Sequence, residues 1–390
     1  MTAPRYLFFT NECVGLGHLR RALTLAGAVV DRDPDASALV VTGSALASSY
    51  RLPPRVDTLK LPLLERDESG VHRAGQLGVS SAAAHELRAR LALAAAESFE
   101  PTVAVVEKTP LGLRNELVPA LRALRERDSR IVLGLRDIED APDEVRRRWL
   151  DGRVREAVER YYDAVLVYGP AGGADAIACL GWDATLAIPV HRVGYVGVPV
   201  PPGSTDAASG YVLVTAGGGV DGERLLSTFL EAVRLRPLGE PALVVTGPLM
   251  PARAVARLKR LARGADVKVV EFRTDMEAVV AGARAVVAMA GYNTVSELLR
   301  TRRPALLVPR VRPSREQLVR ASLLATAGAA RMLHPDELSP QSLRRELDAL
   351  LSGPPPQHSE LLDGTDRAAD LLLELASGID EPVPVAAECR

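Results

Sequence analysis

Ala288-Met289-Ala290-Gly291-Tyr292-Asn293-Thr294-Val295-Ser296-Glu297, trailed by Pro304-Ala305-Leu306-Leu307-Val308-Pro309 and then Arg315-Glu316-Gln317, is the stretch that decides the fold. The apolar run 285–288 predicts a buried strand that breaks at Gly291, with a helix opening at Asn293 or Thr294. A second strand ends at Pro309 before another polar turn. Two strand ends therefore open into one crevice, where helix N-termini and free backbone N–H groups of an open α/β sheet converge on a ligand. Gly291, lacking a Cβ, lets a phosphate or ribose approach the backbone, and the Glu297 carboxylate can accept hydrogen bonds from two vicinal hydroxyls. The pattern reads as a nucleotide-sugar site.

Working outward, residues 211–215 predict a strand, Gly217-Gly218-Gly219 a turn and 223–233 a helix. Strands at 242–246, 267–271, 285–288 and 305–308 then alternate with helices at 252–262, 276–281, 294–299 and 314–327, with Thr274 as a helix cap. Such spacing requires βαβ units and a parallel sheet. Three consecutive glycines form either a nest of N–H groups for a diphosphate or a flexible hairpin. Thr294 to Glu297 also fits a capping box, in which the glutamate reaches back to the helix start. Arg315-Glu316-Gln317 is either a set of sugar-hydroxyl partners or a solvated first turn.

The N-terminal half shows the same opening: a strand at 6–10, the turn Gly15-Leu16-Gly17-His18 and a helix at 19–32. The partial positive charge at a helix start keeps His18 neutral and able to take a proton, unless it is only a capping or packed histidine. Strands follow at 38–42, 56–60, 103–106, 131–135 and 164–167. Helices are expected at 80–98, with Leu87, Leu91 and Ala94 toward the sheet, and at 145–162. Residues 62–76 read as a mobile loop at the cleft mouth, with His72 and His85 at the surface. Glu107 and Lys108 leave a strand end, where an ion pair or a catalytic role is open; Asp137 leaves another, to orient the base or cap the next turn. Asp31-Arg32-Asp33 stands before Pro34 as a solvated turn rather than a metal site. Residues 200–210 form a Pro-, Gly- and Ser-rich linker. The domains are thus 1–199 and 211–378, the latter closing with helices at 343–351 and 368–375 and followed by a disordered tail at 379–390.

At 390 residues the chain exceeds one ordinary core, and its 47% hydrophobic content supports two. A net charge of -1 and 4% aromatic residues exclude the basic field and stacking platforms of a nucleic-acid binder. Cys13, Cys179 and Cys389 have neither disulfide nor metal spacing, which fits a reducing cytoplasm. No apolar run reaches membrane-spanning length, so no transmembrane segment is expected, while peripheral membrane contact stays open.

The C-terminal stretch resembles the C-terminal domain of the family 28 glycosyltransferases. The wider chain is similar to a bacterial family of predicted GT-B glycosyltransferases through Glu107-Lys108-Thr109-Pro110-Leu111-Gly112-Leu113-Arg114, Gly134-Leu135-Arg136-Asp137-Ile138 and Arg160-Tyr161-Tyr162-Asp163. The resemblance implies a GT-B fold: two Rossmann-like domains facing across a cleft, with the last helix crossing back to the first domain. It implies an inverting glycosyltransferase in which a histidine after the first glycine loop, here His18 following Gly17, is base or phosphate contact. It carries Glu297 over as the ribose carboxylate, Gly291, Tyr292, Asn293 and Thr294 as its surroundings, and Arg273 as a main-chain contact to the base. The family's lipid II enzyme has two glutamines where this chain has Glu316 and Gln317, which leaves the donor sugar open.

The reading is transfer of a sugar from a nucleotide donor, a UDP-sugar, to a hydroxyl or amine acceptor. His18 acts as base with Glu107 and Asp137 near it, and Gly217, Gly218 and Gly219 hold the diphosphate with no obligatory metal or cofactor. Residues 15–26 equally resemble a UDP-sugar hydrolase of nonulosonic acid synthesis, so hydrolysis is the first alternative and a non-catalytic helper the second.

Overall fold

The computed structural model describes residues 3–10, 17–66, 72–75, 77–150, 153–199, 210–353, 356 and 363–378. Residues 11–16 of the first glycine loop, most of the linker, the tip of the 62–76 segment and the tail after Gly378 lie outside them.

The first half runs β1 (Arg5–Thr10), α1 (Gly17–Arg32), β2 (Ser37–Thr42), β3 (Val56–Lys60), β4 (Leu64–Arg66), β5 (His72–Ala74), α2 (Ser81–Phe99), β6 (Val103–Glu107) and α3 (Val118–Glu126). It continues with β7 (Arg130–Arg136), α4 (Pro142–Trp149), α5 (Arg153–Tyr161), β8 (Ala164–Tyr168), α6 (Ala176–Leu180) and β9 (Val190–Arg192). The second half runs β10 (Tyr211–Thr215), α7 (Glu223–Leu235), β11 (Ala242–Val245), α8 (Ala252–Leu261), β12 (Val267–Val270), α9 (Met276–Ala281) and β13 (Ala283–Ala288). After it come α10 (Tyr292–Thr301), β14 (Ala305–Leu307), α11 (Glu316–Thr326), β15 (Arg331–Met332), α12 (Pro340–Ser352) and α13 (Gly364–Ser377).

Two parallel sheets result, ordered β3-β2-β1-β6-β7-β8-β9 and β12-β11-β10-β13-β14-β15. In each, the chain builds outward from its first strand and then returns to that strand's other side, beside β1 at β6 and beside β10 at β13. These reversals leave a crevice at the strand ends, since successive connections leave on opposite faces. His18 and Glu107 stand at the first reversal; Gly217 and Gly291 stand at the second.

The central strands are mostly apolar because both faces are covered, as in β1, where every residue from Tyr6 to Thr10 is buried. In α1, Leu19, Ala22, Leu25, Ala26, Val29 and Val30 make the buried stripe. One apolar cluster joins the halves: Leu25 and Val29 of the first, Val286 and Val295 of the second, and Ala368 and Leu372 of α13. The last helix crosses back onto α1, where Asp366 and Asp370 pair with Arg32.

Several expectations need correction. The segment expected as a mobile loop holds the antiparallel hairpin β4–β5, while His72's side chain and the tip are outside the described residues. The expected helix at 145–162 is two, α4 ending at Trp149 and α5 beginning at Arg153; the sequence between them includes a glycine, a poor residue for a helix interior. Leu87 of α2 is 42% exposed, and the buried face is Ala84, His85, Arg88, Ala92, Ala95 and Ala96. This helix is alanine-rich almost all round, so periodicity picks no face, and the side placed inward is the one that lets Arg88 bind Glu116 at 2.7 Å. His85 is therefore buried, with Nδ1 3.6 Å from Glu116, rather than at the surface. Helix α9 is capped at Asp275, not Thr274, with no side-chain cap bond.

Candidate active site

The strand ends of the two sheets face each other across a cavity of about 230 Å³. Of the residues expected to act there, Gly17, His18, Gly217, Gly218, Arg273, Gly291, Tyr292, Asn293, Thr294, Glu297, Glu316 and Gln317 line it. Glu107, Asp137 and Gly219 do not.

His18 is the second residue of α1, and its Nδ1 lies 3.0 Å from Glu107 Oε2 at the end of β6. Arg21, one turn along α1, grips the same carboxylate through Nε at 3.1 and 3.3 Å, and its Nη2 lies 2.8 Å from His18 Nδ1. Arg21 and Glu107 are fully buried side chains. Burial alone would push the Glu107 carboxyl up; Arg21 and the hydrogen bond with His18 more than offset it, and the group is held below its ordinary value. An ionised carboxylate only accepts, so Nδ1–H donates to Glu107, and Nε2 carries the basic lone pair. Arg21 can only donate, and its approach to Nδ1 competes for that tautomer. Burial pushes the imidazole down to about 4, against the pull of Glu107. Glu107 thus forms the ion pair that closes the strand end and also meets His18.

Asp137 does not orient His18. Its carboxylate takes Nε and Nη2 of Arg320 from α11, each at 2.7 Å, along with Tyr195 Oη at 3.2 Å and its neighbour's Ile138 N–H at 2.8 Å. Distance along the chain hid this partner.

In the second half Gly291, not Thr294, is the N-cap of α10, which opens at Tyr292. Thr294 is already inside the helix, so a capping box with Glu297 is excluded. A Cβ at Gly291 would meet nothing within 4 Å, so protein packing does not call for glycine there; it leaves room in the cavity. Glu297 Oε1 lies 2.6 Å from Arg20 of α1. The ring of Tyr292 turns away into the junction between the halves, where its hydroxyl accepts the Val196 N–H at 2.9 Å and Tyr195 packs at 5.7 Å. Asn293 Nδ2 lies 3.5 Å from the Gly17 carbonyl, across the cavity.

Gly217, at φ 61, and Gly218 face the cavity, whereas Gly219, at φ 94, is pressed onto the next turn: a Cβ there would come 2.5 Å from the Thr246 carbonyl. Gly219 therefore shapes the turn and does not line the cavity. The Arg273 side chain is held by Asp275 at 2.7 Å. Glu316 accepts from Arg310 at 2.9 Å and from Arg136 of the first half, and Gln317 Oε1 accepts the Arg310 N–H at 3.1 Å. Burial would push Glu316 up; Arg136 and Arg320 hold it below its ordinary value.

Arg20, Tyr50, Arg136, Phe272 and Arg310 also line the cavity without having been singled out as site residues. Arg20 had a signal, two residues after His18 on one helix; Tyr50 and Arg310 lie on loops with none. Among the described residues no group of three or more His, Cys, Asp or Glu is placed to hold a metal, and no helix is long and apolar enough to cross a membrane.

Residues 212–369 match the glycosyltransferase family 28 C-terminal domain. A UDP-N-acetylglucosamine--N-acetylmuramyl-(pentapeptide) pyrophosphoryl-undecaprenol N-acetylglucosamine transferase of Nitrobacter hamburgensis is 27% identical over 246 residues, 59% of this chain and 65% of that protein. The chain spans 45% to 65% of the length of such curated relatives. In fold it is similar to MurG of Acinetobacter baumannii, with a TM-score of 0.58 and 14% identity over 95% of this chain and 99% of that one. A Listeria monocytogenes structure assigned as a UDP-N-acetylglucosamine 2-epimerase aligns with a TM-score of 0.63 and 11% identity, covering 99% of this chain and 100% of that one. The two parallel sheets and the cleft between their strand ends give this chain the GT-B fold, with a second half that matches the family 28 glycosyltransferase C-terminal domain.

Proposed function

We propose that this chain is an inverting glycosyltransferase that moves a sugar from a UDP-sugar to a hydroxyl or amine of a small-molecule, lipid or peptide acceptor, with residues 1–199 and 211–378 as its two domains. The observation that carries this reading is one cavity that joins His18, paired with Glu107, to the glycine turns and Glu297 of the opposite half. The named relatives are transferases of a UDP-linked sugar, which supports the donor class.

The acceptor's proton passes to His18 Nε2 as its oxygen or nitrogen attacks the anomeric carbon, and the bond from that carbon to the diphosphate oxygen breaks, its electron pair leaving on the diphosphate. A positioned general base contributes about 10²- to 10⁴-fold. The N–H groups at the Gly217-Gly218 turn and the α10 N-terminus stabilise the leaving charge. Glu297 holds the ribose hydroxyls, and Gln317 offers its amide N–H groups to the sugar.

A thermal-shift screen of nucleotides and UDP-sugars, followed by assay of UDP release with and without candidate acceptors, tests the proposal. UDP at 100 times its dissociation constant adds about 2.7 kcal/mol of stability. Release of free sugar at full rate without an acceptor would make the chain a hydrolase; absence of any nucleotide response would remove the reading altogether.

A further inference from the structure

A second contact crosses the cavity, and the transfer chemistry does not use it. Arg20 reaches from α1 to two carboxylates of the other half: Glu277 of α9 accepts a hydrogen bond from its Nη2, and Glu297 Oε1 lies 2.6 Å from the same nitrogen. The three side chains are 16%, 10% and 6% exposed. A carboxylate has about four lone-pair sites on its two oxygens, so Glu297 keeps acceptor capacity beside this contact.

We propose that Arg20 is a positioning residue of the nucleotide site, aiming the Glu297 carboxylate at the donor's ribose and making that contact depend on the first half of the chain. The inference rests on the ribose role given to Glu297 above. Two carboxylates enclosed in one corner repel each other, and a guanidinium between them removes the repulsion and fixes both orientations. Burial pushes the Glu297 carboxyl above its ordinary range; Arg20 pulls it back, and Glu277 pushes it further up. Tyr50 approaches the same guanidinium from the first half and packs edge-on against Phe272, with ring centroids 6.3 Å apart. Without Arg20 the corner takes up a proton, and a neutral carboxyl binds ribose hydroxyls more weakly than a charged one.

Calorimetric titration of the full chain with UDP across about pH 5 to 9 tests this, each variant being compared with wild type at the same pH so that titration of the UDP phosphate cancels. Arg20→Met is expected to weaken binding about tenfold near neutrality, with the deficit narrowing as pH rises. Arg20→Lys, a point charge that cannot bridge both carboxylates, is expected to fall between the two. A deficit of equal size at every pH, or none, would overturn the proposal. Should Arg20→Met not fold, the lysine variant carries the test, and wild-type affinity at every pH then overturns it. Wild-type protein that binds no nucleotide removes the functional reading together with this inference. Binding that Glu297→Gln leaves intact removes the ribose assignment, and binding that Glu297→Gln weakens but Arg20→Met does not removes Arg20 alone.

Discussion

His18 is kept neutral chiefly by its burial, with Arg21 adding to the effect and Glu107 opposing it, and not by a helix end alone. A base works only unprotonated, so kcat/KM is expected to be level at neutral pH and to fall as pH drops through about 4, the value to which burial pushes this imidazole. Glu107→Gln removes the charge that favours Nδ1–H and steadies the imidazolium formed in transfer. Turnover should drop by about 10²- to 10⁴-fold, and the acidic limb should move lower, because Glu107 is a group that pulls the imidazole up. A pH–rate profile of the variant checks both, and an unshifted limb with full turnover would confine Glu107 to closing the strand end. His18→Ala should abolish transfer and leave UDP affinity intact by calorimetry. Glu297→Ala should cost about 1 to 3 kcal/mol of UDP binding, the loss of a charged hydrogen-bond partner. His18 and Glu297 were legible because each follows a glycine turn at a strand end; Arg21 was not, because its role comes from a carboxylate 86 residues away.

The N-terminus of α11 and the loop after β7 are the elements that join the halves at the site. Arg320 binds Asp137, Arg315 donates its N–H to Asp140 at 2.9 Å, and Arg136 reaches Glu316. Because Arg320 is fully buried and Asp137 nearly so, removing one partner strands a charge in the interior. Arg320→Met should lower stability by about 3 to 5 kcal/mol in urea unfolding, and adding Asp137→Leu should recover much of it, since an apolar pair of similar volume has no stranded charge. The strands expected from apolar runs were well located, with ends shifted by a residue or two, whereas the short β9 and β15 and the β4–β5 hairpin carry no such run and were not foreseen. Helix faces were not: α2 carries small apolar residues on most sides, and the side that faces inward was settled by Arg88 meeting Glu116.

Across the whole molecule, one apolar cluster runs from α1 through β13 and α10 to α13 and joins the two sheets, while each sheet also packs a core of its own. Leu372→Ala, at a site with 0% exposure, should cost about 2 to 5 kcal/mol, and calorimetry should show one unfolding transition rather than two. Two independent transitions would mean that the shared cluster does not couple the halves. The sequence by itself determined two α/β halves, the glycine turns at their strand ends and the candidate base and ribose carboxylate, because periodicity and turn chemistry are local properties of neighbouring residues. Only the tertiary structure decided that Asp137 serves Arg320, that Gly219 serves its turn and that Arg20 meets Glu297 and Glu277, because ion pairs across a cleft depend on which surfaces the packing of distant elements brings within a few ångströms.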